Sequence, residues 1–216
     1  FHAVTFVFGK SFFTQEVSIG VFGAALLFTL IGFLQVVRGP KIVDVSIAIP
    51  NLNEAFEGLK IAQISDLHVG TTIRKGYVEE VVRITNAALP DLIFLTGDIA
   101  DAHPGSIAEN LAPLAHLKSR YGSYFVTGNH EYFWDPQALT AKFRELKLNV
   151  LLNEHRIIKV GGGQLMVAGM TDPVGEHILP GHKPNAASAL TTKEKVDLKI
   201  LLAHRPDACK EAEGFG

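Results

Sequence analysis

The chain has 216 residues, of which 47% are hydrophobic and only 19% are charged. The low charge and a mean hydropathy of +0.21 exclude a disordered chain and indicate an apolar stretch outside any soluble core. Lys and Arg number 20 against 22 Asp and Glu, a net charge of −2, so no nucleic-acid partner is predicted. The lone Cys209 excludes an internal disulfide framework and a multi-cysteine zinc module.

The first predicted element is a transmembrane helix, Val17–Val37, which contains no charged residue. A helix of this length spans ~31 Å, close to the ~30 Å hydrocarbon core of a bilayer. A buried helix of a soluble protein is the alternative, and the lack of a polar face argues against it. Residues 1–16 are predicted to be membrane-proximal, as an interfacial segment or as the end of an earlier membrane helix.

We therefore expect a membrane location, in particular the inner membrane of a cell. Lys10 precedes the helix while Arg38 and Lys41 follow it, which slightly favours the cytoplasm for residues 38–216 without assigning the side. The chain starts at Phe1 within an apolar stretch and stops at Gly216 soon after a strong motif. We expect it to be a fragment whose last domain, residues 38–216, is incomplete at the C-terminus.

Strands and helices alternate after the membrane helix. Apolar residues at every second position from Ile42 to Ile49 predict a half-buried strand. Strands separated by helices of about ten to fifteen residues predict parallel crossover units, and short paired strands predict an antiparallel portion. The later predicted strands are Leu59–Ile64, Leu92–Thr96, Ser123–Thr127, Val150–Leu152, Arg156–Val160, Leu165–Gly169 and Leu198–Ala203. The predicted helices are Tyr77–Ala88, Ser106–Leu117 and Pro136–Leu146, and a long loop is predicted over Pro173–Pro184.

Four predicted strands end in side chains that can bind metal. They are followed by Asp-x-His, Gly-Asp, Gly-Asn-His-Glu and His, which contribute Asp66, His68, Asp98, Asn129, His130 and His204. Ligands of open α/β sheets bind outside the carboxyl ends of the strands, so we expect these side chains to lie close together. Oxygen and imidazole donors without cysteine favour Mn, Fe or Zn.

This order of motifs resembles the calcineurin-like metallophosphoesterase family over about Leu59 to Ala208. The sequence Gly128–Tyr132, followed by Asn153–His155, is most similar to a membrane-linked bacterial branch that includes UDP-2,3-diacylglucosamine pyrophosphohydrolase-like enzymes. The resemblance implies an α/β fold with α+β elements: a mixed β-sheet sandwich flanked by helices, here preceded by the transmembrane helix. It also implies hydrolysis of a phosphodiester or pyrophosphate bond in a small-molecule or lipid substrate.

The resemblance further implies a cofactor of two divalent metal ions. Asp66, His68 and Asp98 would hold the first ion, and Asp98, Asn129 and His204 the second. A carboxylate such as Asp98 can bridge two ions about 3.5–4 Å apart, and a hydroxide between them would attack phosphorus in line. The family closes its site with a later Gly-His-x-His motif, which does not follow His204 before Gly216. We therefore expect weak metal binding and slow turnover from this stretch of chain alone.

Three residues are implied to contact the substrate. His130 would act as the general acid or stabilise the leaving oxygen, and Asn129 would lie beside it. Arg205 either contacts a phosphate oxygen or forms a surface salt bridge. The aromatic side chains that follow His130 line a lipid-facing groove or pack under the loop: Tyr132, Phe133 and Trp134.

Several alternatives remain open. Asp101 and Asp172 are predicted turn residues, and Gly161–Gly163 is predicted to form a hairpin turn rather than a phosphate loop. A vestigial phosphoesterase fold that serves as a membrane-tethered interaction module is the alternative function. A domain appended to a transporter or a signalling membrane protein is a third.

Overall fold

The computed structural model describes residues 15–37 and 39–215. Most of the predicted membrane-proximal segment, residues 1–14, lies outside the described residues, as do Arg38 and Gly216. The chain divides into two units between Lys41 and Ile42.

The first unit contains one long helix, α1, which spans Gln15–Val37. Its segment Gln15–Leu34 is long and apolar enough to cross a membrane, and none of that segment is buried. Phe22 is 82% exposed, as expected for a helix whose apolar side chains face lipid. The hydroxyl of Thr29 donates to the carbonyl of Ala25 at 2.8 Å, so this polar group is satisfied within the helix. The predicted helix is confirmed, with two more residues at its start.

The second unit begins with a parallel sheet in the order β1-β2-β3-β4. Its strands are β1, β2, β3 and β4, at Ile61–Ile64, Leu92–Thr96, Ser123–Val126 and Asn149–Val150. The connecting helices are α2, α3, α4 and α5, at Lys75–Ala87, Pro104–Leu111, Asn129–Phe133 and Pro136–Glu145. Parallel pairing places the carboxyl ends of all these strands at one edge of the sheet.

A three-stranded mixed sheet follows, in the order β5-β6-β7. Strands β5 (Glu154–Val160) and β6 (Gly163–Gly169) form an antiparallel hairpin, and β7 (Leu198–Leu202) runs parallel to β6. The predicted hairpin turn is confirmed: Gly161 has φ +57°, a left-handed conformation that glycine adopts without a steric penalty. The short helices α6, α7 and α8 span Gly175–Ile178, Ala186–Leu190 and Ala208–Ala212.

Alternation along β2 divides the core between the two faces of the parallel sheet. Ile93 and Leu95 pack in a cluster with helices α2, α3 and α5, whereas Leu92 and Phe94 pack with residues of the mixed sheet. The two sheets approach so closely that a Cβ on Gly169 would lie 2.6 Å from the side chain of Val126. The predicted sandwich of sheets flanked by helices is therefore confirmed.

One predicted strand is wrong. Residues 42–49 have no strand structure, and alternate side chains such as Val43 (81%) and Ile47 (79%) are largely exposed. A strand requires a neighbouring chain to exchange backbone hydrogen bonds with, and no strand of the described residues pairs with this segment. The alternation of apolar and polar residues in this segment indicated an apolar face, but it could not show whether a neighbouring strand is available for pairing.

Smaller differences concern the helices. The helix predicted over Ser106–Leu117 divides into α3 and a 3₁₀ helix, Ala112–His116, in which Pro113 is the second residue and lacks an N–H for the α-helical ladder. The helical turn α6 lies inside the predicted long loop. Helices α4, α7 and α8 were not predicted, since five residues are too few to show helical periodicity.

Candidate metal centre

Side chains from both sheets meet around the carboxylate of Asp98, which is only 4% exposed. The Oδ2 atom of Asp98 lies 3.3 Å from Nε2 of His204 and 3.8 Å from Nε2 of His68. The Nε2 atom of His68 also lies 4.0 Å from Oδ1 of Asp66. Asp66 and His68 follow β1, Asp98 follows β2, and His204 arrives from β7 of the other sheet.

The backbone reaches this geometry through three strained residues. Asp66, His68 and Asp98 have φ values of 54°, 49° and 53°, in the left-handed region that non-glycine residues rarely adopt. Hydrogen bonds hold the two loops together: the N–H of Asp66 donates to Gly97 at 3.1 Å, and that of His68 donates to Asp98 at 2.9 Å. Such strain persists only where the surrounding structure enforces it, and it is concentrated at functional sites.

Two glycines allow the close approach of these strand ends. A Cβ on Gly128 would lie 2.2 Å from Oδ1 of Asp98, and a Cβ on Gly97 would lie 2.7 Å from Nδ1 of His204. The Nδ1 atom of His204 lies 2.9 Å from the carbonyl oxygen of Thr96. When Nδ1–H donates to that carbonyl, Nε2 is left with its lone pair towards Asp98, the arrangement typical of a metal-binding histidine.

Glu131 holds the loop that carries Asp98. Its carboxylate is fully buried and accepts the backbone N–H groups of Asp98, Ile99, Ala100 and Gly128 at 2.7 to 3.0 Å. Burial raises the pKa of Glu131, although the backbone donors act in the opposite direction. One side chain therefore joins the ends of β2 and β3. Sequence reasoning assigned no role to Glu131, although it belongs to the Gly-Asn-His-Glu motif.

His130 is paired with a carboxylate. Its Nδ1 atom lies 2.8 Å from Oδ1 of Asp101, and the same oxygen accepts the indole N–H of Trp134 at 3.1 Å. The hydrogen bond with Asp101 raises the pKa of His130. Burial acts to raise the pKa of Asp101, but the hydrogen bonds from His130 and Trp134 outweigh it, so this pKa is lowered. Asp101, interpreted from the sequence as a turn residue, is thus a partner of the candidate acid.

Arg205 faces a buried carboxylate. Its Nε atom lies 3.5 Å from Oδ2 of Asp172, a side chain with no exposed surface, and this oxygen has no hydrogen-bond partner among the described residues. Oδ1 of Asp172 accepts the N–H of Val174 at 2.9 Å, so the predicted turn role is present as well. Burial raises the pKa of Asp172.

The sequence could have indicated a role for Asp101, because this residue follows the Gly-Asp motif by three positions. No comparable motif pointed to Asp172.

The arrangement offers two groups of ligand atoms suited to divalent metals. Within each group the ligand atoms lie within 4.8 Å of one another. The first group comprises Asp66, Asp98 and His204. The second comprises His68, Asp101 and His130. Carboxylate and imidazole donors suit Mn, Fe and Zn, so the residues present fit the implied ions. The predicted grouping differs, because it assigned His68 to Asp66 and Asp98 and did not include Asp101. Asn129, the first residue of α4, is partly exposed beside this cluster.

Comparison with known proteins identifies the family. The profile of the calcineurin-like phosphoesterases matches residues 59–215, and the chain therefore belongs to this family. A protein of Danio rerio named "Transmembrane protein with metallophosphoesterase domain" is 31% identical over 186 residues, which cover 84% of this chain and 43% of the relative. The protein of the same name from Bos taurus is 33% identical, with 85% and 43% covered. A Helicobacter pylori metallophosphoesterase is 30% identical, with 87% and 49% covered.

Relatives of this chain thus occur in both animals and bacteria, so the similarity extends beyond the predicted bacterial branch. The chain spans less than half the length of these three relatives.

Proposed function

We propose that the protein is a membrane-anchored phosphoesterase that hydrolyses a phosphodiester or pyrophosphate bond with two divalent metal ions. The observation that carries this proposal is the convergence of oxygen and imidazole ligands on the buried carboxylate of Asp98. Three separate strand ends contribute to it, those of β1, β2 and β7, and a bound cation would compensate the repulsion between the carboxylates.

The metal ligands we propose are Asp66, His68, Asp98, Asn129 and His204. When bound, divalent ions in this site supply Lewis acidity and neutralise the negative charge of the phosphate. Asp98 is the best candidate for a shared ligand, since its Oδ2 atom faces His68 on one side and His204 on the other. Glu131 keeps the backbone of Asp98 in place while the metal site forms.

The residue that we propose to move a proton is His130. Asp101 occupies Nδ1, which leaves Nε2 as the nitrogen that can hold the proton and give it to the leaving oxygen. The hydrogen bond with Asp101 acts to raise the pKa of His130. Asp101 orients the imidazole, as carboxylates do in other histidine pairs.

Arg205 is the proposed phosphate contact, together with Asn129 and His130. The carboxylate of Asp172 holds its Nε atom, and the guanidinium still has two amino groups that can bind phosphate oxygens. Sequence reasoning offered a phosphate contact or a salt bridge, and the ion pair with Asp172 is compatible with both.

The membrane part of the proposal rests on the apolar helix Gln15–Val37 and on the names of two relatives. We propose that this helix anchors residues 38–216 at a membrane, the cell inner membrane in a bacterium, with the cytoplasmic side slightly favoured by Arg38 and Lys41. A lipid is then one candidate substrate for the anchored enzyme.

The test is metal-dependent hydrolysis by the full-length protein in detergent. We expect hydrolysis of bis-p-nitrophenyl phosphate with Mn²⁺, its loss with a chelator, and more than a ~100-fold loss in Asp98→Ala, since even outer-shell substitutions cost about 10–100-fold. Glu79→Ala, at an exposed position on α2, serves as the control. A protein that binds two metals but hydrolyses no phosphoester would contradict the proposal and favour the interaction module.

A further inference from the structure

Two large aromatic side chains remain exposed next to the candidate acid. Helix α4 directs Tyr132 inwards, where it is 2% exposed, whereas Phe133 is 59% and Trp134 is 47% exposed. The ring of Phe133 lies 5.2 Å from the ring of His130, in an edge-to-face arrangement. Neighbouring exposed aromatic rings at a site indicate a surface that binds an apolar group.

The indole of Trp134 is fixed in position despite its exposure. Its N–H donates to Oδ1 of Asp101, the oxygen that also contacts His130. An indole already held by a hydrogen bond loses less conformational entropy when it binds a ligand, which makes it an efficient contact surface. Both rings are thus tied to the Asp101–His130 pair, one by a ring contact and the other through a shared oxygen.

The direction of proton transfer determines which part of a substrate meets these rings. Asp101 occupies Nδ1 of His130, so the leaving oxygen must come within hydrogen-bond distance of Nε2. The organic group attached to that oxygen then lies a few ångströms from the imidazole, where Phe133 is found. The phosphate itself would then face Asp98 and the other candidate metal ligands.

From this geometry we propose that Phe133 and Trp134 bind the leaving group, and that the substrate is a phosphoester whose leaving group is apolar next to its oxygen. This inference rests on the proposed function, because it uses His130 as the acid. Two sources share this chemistry: an aryl or nucleobase-like ring, which would stack, and an alkyl chain from a lipid. A stacked aromatic pair contributes about a tenfold preference.

The test measures binding rather than turnover. Methylphosphonate, benzylphosphonate and hexylphosphonate are titrated into the full-length, Mn²⁺-loaded protein in detergent. Trp134 is the single tryptophan of this chain, so its emission, taken as the difference from Trp134→Phe, reports binding. We expect benzylphosphonate or hexylphosphonate to bind about tenfold more tightly than methylphosphonate, and the tighter of the two identifies the aryl or the alkyl source.

The variants determine whether Phe133 provides this preference. In Phe133→Ala we expect the ratio of the affinity for the tighter phosphonate to that for methylphosphonate to fall towards one. In Phe133→Tyr, which keeps the aromatic ring, we expect this ratio to recover. Leu89→Ala is the matched control: Leu89 is 78% exposed, but it precedes β2 and so lies at the opposite edge of the sheet from the site. For these variants the ratio is read from inhibition of hydrolysis as well as from emission.

Equal affinities for the three phosphonates, or an unchanged ratio in Phe133→Ala, would overturn the inference. Unchanged ratios combined with weaker binding of Phe133→Ala to phosphatidylcholine vesicles would assign the rings to the bilayer surface instead, which also overturns it. A protein that discriminates among phosphonates yet hydrolyses no phosphoester would contradict the proposed function alone.

Discussion

The two sheets contribute unequally to the candidate site. Three neighbouring strands of the parallel sheet supply Asp66, His68, Asp98, Asn129 and His130, whereas the mixed sheet supplies one candidate metal ligand, His204, and the proposed phosphate contact Arg205. Strands β2 and β3 are buried along their whole length, while β7 is an edge strand of which four of five residues are partly exposed. Asp98 is therefore part of the core, whereas the side chain of Asp66, after the edge strand β1, is 56% exposed, and His204 is attached from the less buried β7.

This contrast teaches that folding and metal binding depend on different residues of one site. Glu131 joins two central strands through four backbone hydrogen bonds, so its loss should affect the whole unit. His204 meets the parallel sheet through the hydrogen bond of Nδ1 to Thr96 and the approach of Nε2 to Asp98, so its loss should affect the site more than the fold. Three predictions test the contrast.

The largest expected effect on stability comes from Glu131→Gln. The amide places an NH₂ group among backbone donors that need an acceptor, so we expect the free energy of unfolding to fall by about 3 kcal/mol. Urea denaturation of the full-length protein measures it. Glu145→Gln is the control, because Glu145 is exposed and forms a surface ion pair with Lys142; it should change stability by less than about 0.5 kcal/mol. Equal losses of unfolding free energy in the two variants would contradict the proposed role of Glu131 in joining the strands.

His204→Asn is expected to have a smaller effect on stability but a large effect on metal binding. Losing one hydrogen bond to Thr96 should cost about 1 kcal/mol of unfolding free energy. Metal content after dialysis, measured by mass spectrometry, should fall below that of the unsubstituted protein because Asp66 and Asp98 lose their third partner. Retention of both metals, or destabilisation as large as in Glu131→Gln, would contradict the division between the sheets.

The smallest effect concerns a network behind the site. The hydroxyl of Tyr132 lies 2.8 Å from Nδ1 of His182 and 3.1 Å from Thr127, and burial raises the pKa of Tyr132 to about 12, so this group remains neutral. Burial lowers the pKa of His182 below its usual 6.5. The unfolded chain is therefore protonated first as pH falls through 6.5, and stability decreases from that point down to the folded pKa.

His182→Gln should flatten this dependence of unfolding free energy on pH, measured by urea denaturation between about pH 5 and 8. His116→Gln provides the comparison, since His116 ends the 3₁₀ helix, away from the network. An identical slope in the His182 variant and the unsubstituted protein would exclude this histidine as its source.

Much of the fold could be predicted because the patterns involved are local. The strand Leu92–Thr96 was predicted residue for residue, since five consecutive apolar or small residues between a proline and a Gly-Asp turn indicate a buried parallel strand. The segment 42–49 has an equally regular pattern and forms no strand among the described residues. A strand depends on its neighbour, and a periodicity does not reveal whether that neighbour exists.

The roles of side chains near the site were predicted less completely. The strand-end motifs indicated the ligand types, but Asp101, Glu131 and Asp172 were missed or interpreted as turn residues. Their importance lies in contacts with residues about 29 to 33 positions away, such as His130 with Asp101 and Glu131 with Asp98, and in the ion pair with Arg205. Of the three aromatic residues that follow His130, the structure buries Tyr132 and exposes Phe133 and Trp134, a division that the sequence did not indicate.

The sequence by itself determined the apolar helix, the order of strands and the kinds of ligand at their ends, because each depends on residues close together in the chain. Only the tertiary structure decided which of these ligands meet. His204 reaches Thr96 across 108 residues because two sheets pack face to face, and Glu131 meets the backbone of Asp98 because neighbouring strands end at one edge. Packing between distant segments depends on the shape of whole layers, which no local pattern of residues encodes.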